Sequence, residues 1–494
     1  MRILGNLNPV RVFYYFEELC KIPHGSYNTK AISDYCVTIA KELGLEVRQD
    51  NWNNVIIKKP ASKGCENAPV MMIQGHLDMV CETDTDVMHD FETEGLELMI
   101  QNGFVTANGT TLGGDDGIAV AMGLAILEDN SILHPPLEVV FTTEEEVGMD
   151  GALGLDTSDL KASYLLNLDS EDEGVLTVSC AGGSTMELHR TYKPEIMQGI
   201  PCKLTVSGLL GGHSGVEIQN GRANSNKLMA QVLAGMNDAI TYRLSSIDGG
   251  KKHNAIPRET IACIVLESEQ EFQKAASVID RYQQLFQEAY ADSDAGIVLD
   301  LQSCGVEYKV KNGHVEVLDM DTMNQVIQLL MIIPDGVQAM SQTIQGLPET
   351  SLNLGVLTTS METNEIYMEV SNRSSNFAGL KLLEEQIQYC ATLSGFTWKN
   401  QSEYPGWSYR KDSLLQTTMI EIYRKMFQKD MKIEAIHAGL ECGILASKMP
   451  ELDIVSMGPD ILDIHTPQER LSIESVQRTY AYVLAVLESF TNHK

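Results

Sequence analysis

Along the first third of the chain, apolar positions switch repeatedly between helical and strand spacing. Val12, Phe16, Leu19 and Cys20 recur at helical intervals behind Asn8-Pro9. Asn caps free backbone N–H groups and Pro suits a first helical turn, so a helix is predicted to open there. A second helical pattern runs to about Leu43, where Gly44 stops it. Leu45 to Asp50 and Asn54 to Lys59 read as the strands of a hairpin. Ala68 to Ile73 is short and apolar, which predicts one buried strand running into Gln74-Gly75-His76-Leu77-Asp78. The polar stretch from there to about Gly109 predicts an irregular loop. Ile118 to Leu127 predicts an apolar helix behind Leu112-Gly113-Gly114-Asp115-Asp116-Gly117. Leu137 to Thr143 and Ala162 to Leu168 predict two further strands. Strands alternating with helices imply an α/β layer structure.

From about Ser184 to residue 400 the texture changes. Long strands dominate, with two amphipathic helices near 269–290 and 321–332, and the two halves look loosely alike. The last section returns to α/β texture. Asp412 to Met426 predicts a helix, His437 to Gly443 a glycine-punctuated turn, and Asp453 to Met457 a strand. A loop spans 458–467. A final helix carries Val476, Tyr480, Val483, Leu487 and Phe490 on one face. The chain therefore divides into 1–185, 186–400 and 401–494, consistent with a length of 494 residues, too long for one ordinary domain.

Charge narrows the partners. With 36 basic and 68 acidic residues the net charge is −32, a surface that repels phosphate backbones and anionic lipid. No nucleic acid or membrane partner is expected. A hydrophobic content of 43% and a charged content of 21% fit a soluble globular protein. No apolar run reaches the roughly 20 residues that span a bilayer, and the first residues carry no signal-peptide pattern. Ten cysteines with no Cys-x-x-Cys pair predict reduced thiols in a cytoplasmic protein, neither a disulfide framework nor a cysteine zinc site.

The candidate chemistry lies at strand ends. Residues i and i+2 of an extended chain share a side, so His76 and Asp78 can meet one site. A ligating histidine needs such a partner to fix its ring; a solvated strand end is the alternative. Asp115 and Asp116 sit where a helix start favours negative charge, as ligands or as simple caps. Glu144-Glu145-Glu146 end the strand from Leu137, and three successive carboxylates are costly unless solvated or neutralised by a cation. Asp169 ends the strand from Ala162. In α/β sheets, ligands bind beyond the carboxyl ends of the strands. Asp84, Asp86, His89 and Asp90 lie in the polar stretch; they can bind a cation, but a solvated loop is the default reading. Two histidines and three carboxylates at element ends suit two adjacent divalent metals, zinc first, with manganese or cobalt as substitutes.

These motifs resemble a known family: the co-catalytic zinc exopeptidases and deacylases related to carnosinase and acetylornithine deacetylase. The likeness is closer to the bacterial aminoacyl-histidine dipeptidases (peptidase D, Xaa-His dipeptidase). It covers nearly the whole chain and rests on GHLDMV at 75–80, TLGGDDG at 111–117, TTEEEVGMDGA at 142–152, NLDS at 167–170, GGHSG at 211–215, HNAIPRE at 253–259, HAGLECG at 437–443 and the His465 loop. The resemblance implies an α/β, mixed-sheet catalytic domain (1–185 and 401–494) with an inserted α+β lid or dimerisation domain (186–400). It implies two zinc ions per chain, one on His76, Asp115 and Asp169, and one on Asp115, Glu146 and His465. Asp78 would orient His76, and Glu145 would be the base that activates a metal-bridged water. His213 would polarise the scissile carbonyl, and Asn254 and Arg373 would hold the substrate's carboxylate.

Glu441 lies among acids that favour a substrate with a free amine. Glu144 is expected to alternate away from Glu145 and to matter little. On the residues alone, His213 can equally pack within its glycine-rich turn, and Arg373 can pair with a surface acid. The function expected is hydrolysis of small dipeptides, Xaa-His preferred. An N-acyl amino acid deacylase on the same fold is the alternative within enzymes, and a metal-binding scaffold without turnover the alternative outside them.

Overall fold

The computed structural model describes residues 2–304 and 314–492. They form two compact units. The first comprises Met1–Ser179, Trp407–Ala435 and Leu440–Lys494, and the second Cys180–Gly406 and Ile436–Gly439.

The first unit is built on an eight-stranded sheet. From edge to edge its strands are Glu46–Gln49, Val55–Lys59, Leu137–Thr142, Met71–His76, Tyr164–Asn167, Asp453–Ser456, Val175–Cys180 and Lys432–Ile436. The four from Leu137–Thr142 to Asp453–Ser456 run parallel, and strands flanking them pair antiparallel. Every residue of Met71–His76 and of Leu137–Thr142 is buried, as in parallel strands covered on both faces. The helix Gly114–Glu128 packs against Met71–His76 and against the helix Val10–Leu19. It is apolar all round because it has a neighbour on each side. A Cβ on Gly75 would lie 2.8 Å from the Ala119 Cβ, so this glycine lets the helix approach the strand end.

The stretch after Asp78 is not irregular throughout. Leu98–Gln101 and Phe104–Ala107 form a hairpin about Asn102-Gly103, both at positive φ. Asn-Gly is the standard signal for that turn, and the expectation of a loop passed over it. Phe104–Ala107 also pairs with Arg470–Ser472, which pins the end of the His465 loop. The stretch expected as a turn at 437–443 instead opens a helix, Glu441–Lys448.

The second unit carries a nine-stranded antiparallel sheet. Its order is Val298–Ser303, Ile200–Ser207, Thr260–Leu266, Tyr242–Gly249, Pro348–Ser360, Glu365–Ser374, Gly182–Thr191 and Thr397–Tyr404, with Gly336–Met340 added beside Pro348–Ser360. Helices Ser225–Asn237, Glu269–Ala289, Met320–Ile332 and Phe377–Leu393 share one buried apolar cluster with this sheet. Two of the four were not expected, and each starts at an asparagine cap: Asn224 accepts from Asn226 N–H and Asn376 from Ala378 N–H. The mixed α/β unit and the antiparallel α+β unit are the two layer types the sequence predicted. Among the described residues no helix is long and apolar enough to cross a membrane.

Candidate active site

Parallel pairing brings the strand ends together. His76 lies beside Thr142, and Gln74 beside Asn167, so Asp78, Glu145, Glu146 and Asp169 all emerge at one edge of the sheet. The start of the helix Gly114–Glu128 adds Asp115, and the loop before Arg470–Ser472 adds His465.

Asp115 stands between the two histidines. Its Oδ1 is 3.3 Å from His76 Nε2 and its Oδ2 3.2 Å from His465 Nε2. Asp169 Oδ1 lies 3.5 Å from His76 Nε2, and Glu146 Oε1 lies 3.0 Å from His465 Nε2. His76 Nδ1 faces the backbone carbonyl of Asp78 at 2.9 Å, with the Asp78 carboxylate farther off at 3.6 Å. The carbonyl therefore fixes the ring, leaving Nε2 to face the acids. The Asp78 carboxylate instead accepts from Ser26 Oγ and from the backbone N–H groups of Glu145 and Glu146, which holds the turn that carries both glutamates.

Among the described residues, three groups of ligating atoms converge within 4.8 Å: His76, Asp116 and Asp169; His76, Glu145 and Glu146; Asp115, Glu146 and His465. Asp116 is the one member that sequence reasoning did not assign. Its Oδ2 accepts the backbone N–H of His76 at 3.2 Å, and a Cβ on Gly75 would lie 2.4 Å from that oxygen.

The charges are poorly balanced without a cation. Burial, reinforced by Asp115 and Glu146 against a hydrogen bond to His76, pushes Asp169 up to about 6. Burial raises Glu145 and Asp116 well above the carboxylate range, with Asp169 adding to both. Hydrogen bonds to Asp115 and Glu146 raise His465 to about 10. Burial pushes His76 down, but its bonds to Asp115 and Asp169 outweigh that and hold it well above the usual value. Protons here stand where positive charge is needed. An all-nitrogen-and-oxygen donor set of this kind fits a pair of divalent cations.

Beneath the strand ends lies a buried polar layer. Asn167 Nδ2 donates to Gln74 Oε1, and Gln74 Nε2 and Thr142 Oγ1 both donate to Glu441 Oε2 at 2.6 Å. Glu441 Oε1 has no hydrogen-bond partner among the described residues. Burial raises Glu441 to about 7. Glu144 is separate from this layer and from the ligating groups. It sits at positive φ, buried, and accepts from Tyr27 N–H and from Thr29 Oγ1 at 2.8 Å. It points away from its neighbours as expected, but the strand does not persist there, and the side chain is a buried anchor.

The second unit holds the other predicted residues. Gly212-His213 pairs with Ala255-Ile256, and Ser214 N–H donates to the Asn254 carbonyl, so His213 and Asn254 are neighbours. His213 Nδ1 accepts from Gly215 and Val216 N–H at 3.1 and 3.2 Å. Its proton must then sit on Nε2, and burial, with Arg373 nearby, lowers its pKa and keeps the ring neutral. Arg373 lies level with Ser351 on one neighbouring strand and with Gly183 on the other, and Gly183 is level with Tyr404. A Cβ at Gly183 would lie 2.6 Å from the Tyr404 hydroxyl, so glycine lets Arg373 reach Tyr404 Oη at 3.1 Å. Arg373 is only 7% exposed, and its Nε has no partner among the described residues.

His437 was a motif residue without a role. It is buried, bonds Ser351 Oγ through Nε2 at 2.7 Å, and is pushed down to about 4 by burial and by Arg373. Two other residues were missed. Gln74 left a trace, a polar residue inside an apolar strand. Glu469, four residues beyond His465, left none.

The sequence pattern of peptidase family M20/M25/M40 matches residues 72–489. A cytosol non-specific dipeptidase of Escherichia coli (strain K12) is 37% identical over 492 residues, 99% of each chain. The crystal structure of aminoacylhistidine dipeptidase from Vibrio alginolyticus matches with a TM-score of 0.91 at 36% identity, covering 98% of each chain. Aminopeptidase PepT from Bacillus cereus shares the fold, with a TM-score of 0.56 at 15% identity over 98% of this chain and 100% of that one. A family pattern that spans most of the chain, and relatives more than a third identical along nearly all of it, establish that this chain belongs to peptidase family M20/M25/M40 and is a hydrolase of peptide bonds.

Proposed function

We propose that the chain is a cytoplasmic dipeptidase that holds two divalent cations, zinc first, and hydrolyses small dipeptides with free termini, Xaa-His among them. The observation that carries this is Asp115, whose two carboxylate oxygens face different histidines at 3.3 and 3.2 Å. In this reading His76, Asp115 and Asp169 hold one cation, and Asp115, Glu146 and His465 the other. Asp116 is left to hold the backbone of His76. Such a cation pair polarises a carbonyl oxygen and makes a water more acidic.

The chain's own groups do the rest. Glu145 takes the proton of the attacking water and passes it to the leaving amine; burial raises its pKa, which suits a group that must carry a proton between two transfers. Asp78 keeps Glu145 in place through its backbone N–H. His213, neutral and protonated on Nε2, donates to the carbonyl oxygen as charge develops there. A buried guanidinium without an acid partner is costly, and the substrate's carboxylate supplies that partner to Arg373, with Asn254 beside His213 assisting. Glu441 Oε1 is left to take the substrate's amine.

The second unit is assigned as the lid or dimerisation domain, and an exposed apolar stripe on one helix, Leu382, Tyr389 and Leu393, supports dimerisation. The names of two relatives above, a cytosol dipeptidase and an aminoacylhistidine dipeptidase, support the substrate class and the location. The deciding experiment is a turnover screen of Xaa-His dipeptides, other dipeptides and N-acyl amino acids on protein of measured metal content. Faster turnover of N-acyl amino acids than of any dipeptide would move the chain to the deacylases.

A further inference from the structure

Glu469 is 2% exposed, and its carboxylate receives four successive backbone N–H groups. Leu112 and Gly113 donate to Oε2 at 2.7 and 3.1 Å; Gly114 and Asp115 donate to Oε1 at 2.8 and 3.3 Å. These are donors at a helix start, which have no partner within the helix. Among the described residues no cationic side chain pairs with Glu469; the adjacent Arg470 pairs with Asp463. The carboxylate's charge is balanced by peptide dipoles alone, as an anion is in a backbone nest. The two glycines make this possible. Gly113 is left-handed at φ 65°, and a Cβ on Gly114 would lie 3.1 Å from Glu469 Oε1.

The other end of the tie matters as much. Glu469 N–H closes a turn on the Thr466 carbonyl, one residue beyond His465. The His465 side chain is 45% exposed, and among the described residues it meets Asp115 and Glu146. Glu469 thus links the backbone of the loop that carries Asp115 to the loop that carries His465.

We propose that Glu469 is a positioning residue that fixes Asp115 relative to His465, and so sets the affinity of the cation site formed by Asp115, Glu146 and His465. The inference rests on the two-cation reading above. The site on His76 and Asp169 is built on strand ends and depends less on this tie. Glu469→Gln keeps the shape, but turns one oxygen that accepts two N–H groups into a donor, so the Asp115 loop is released on one side.

The test is cobalt titration of metal-free protein, followed by calorimetry and by the visible absorption of bound cobalt, with circular dichroism and thermal melting alongside. Wild type should take up two cobalt ions. Glu469→Gln should stay folded, keep one tight ion, bind the second at least tenfold more weakly and show a changed cobalt spectrum, with kcat falling more than KM changes. Glu469→Asp keeps the charge but falls short of the four donors, and should lie between the two; it carries the comparison if the glutamine variant does not fold. Two ions bound with wild-type affinity and spectrum in both variants, with only a lower Tm, would reduce Glu469 to a structural tie and overturn the proposal. A wild-type chain that takes up a single cobalt overturns the two-cation reading, and this inference with it.

Discussion

Glu144, Glu145 and Glu146 are adjacent in sequence, yet each should report on a different observable when changed to glutamine. Glu145→Gln is isosteric, and its backbone N–H stays on Asp78 at 3.0 Å, so geometry and metal content should persist. What is lost is the proton acceptor. That is typically worth about 10²- to 10⁴-fold in rate, or about 3–5 kcal/mol of transition-state stabilisation. Glu146→Gln removes a carboxylate 3.0 Å from His465 Nε2, and should cost one metal ion per chain together with most of the rate. Glu144→Gln should leave rate and metal nearly unchanged but lower stability. Its buried carboxylate accepts from Tyr27 N–H and Thr29 Oγ1. A hydrogen bond to a charged group contributes roughly 1.5–3 kcal/mol, and glutamine keeps at most one of the two as an acceptor. A loss of about 2 kcal/mol, a Tm lower by several degrees, is expected. The three variants need kcat on one dipeptide, elemental analysis of metal and a thermal melt. A dead, metal-replete Glu144→Gln would show that the base has been placed one residue out. Half-activity in all three would show that the base lies elsewhere.

Chelation should abolish turnover, and zinc, manganese or cobalt should restore it; full activity in verified metal-free protein would remove the basis of the mechanism. Arg373→Ala should raise KM about ten- to a hundredfold for dipeptides with a free carboxylate and barely affect their amides, since a charged hydrogen bond is worth roughly 1.5–3 kcal/mol. Equal losses on both would show that Arg373 does not read the carboxylate. His437 is a pH probe: burial, then Arg373, holds it down to about 4, against about 6.5 when unfolded. The unfolded chain takes up this proton first, so the ring's contribution is intact above about pH 6.5 and is lost progressively down to about pH 4, by about 3 kcal/mol in full. His437→Gln should therefore lose less Tm than wild type between pH 7.5 and 5, and equal losses would argue against a buried neutral ring.

Much of this protein can be read locally. The spacing of Val12, Phe16 and Leu19, the glycine stop at Gly44, and the apolar runs into His76 and toward Glu144 are set by neighbours a few residues away, and the strands and helices appear where those patterns put them. The two unexpected helices of the second unit had local signals too, in the caps Asn224 and Asn376, and the hairpin at Asn102-Gly103 carried its turn signal. The candidate site residues stood out as chemistry, because acids and histidines at strand ends are costly without a purpose.

Their geometry was not legible. That Asp115 lies between His76 and His465, 350 residues apart from the latter, depends on parallel register and on the approach of one helix to one strand. The sequence likewise gives no sign that the Asp78 carbonyl, rather than its carboxylate, fixes His76, or that Glu144 is buried against Thr29. Glu469 is the clearest case. A glutamate between Gln468 and Arg470 reads as surface, and only the fold turns it inward onto four amides more than 350 residues earlier in the chain. Local pattern is set by short-range sterics and solvation. Which distant backbone a carboxylate meets is set by packing, and packing exists only once the chain has folded.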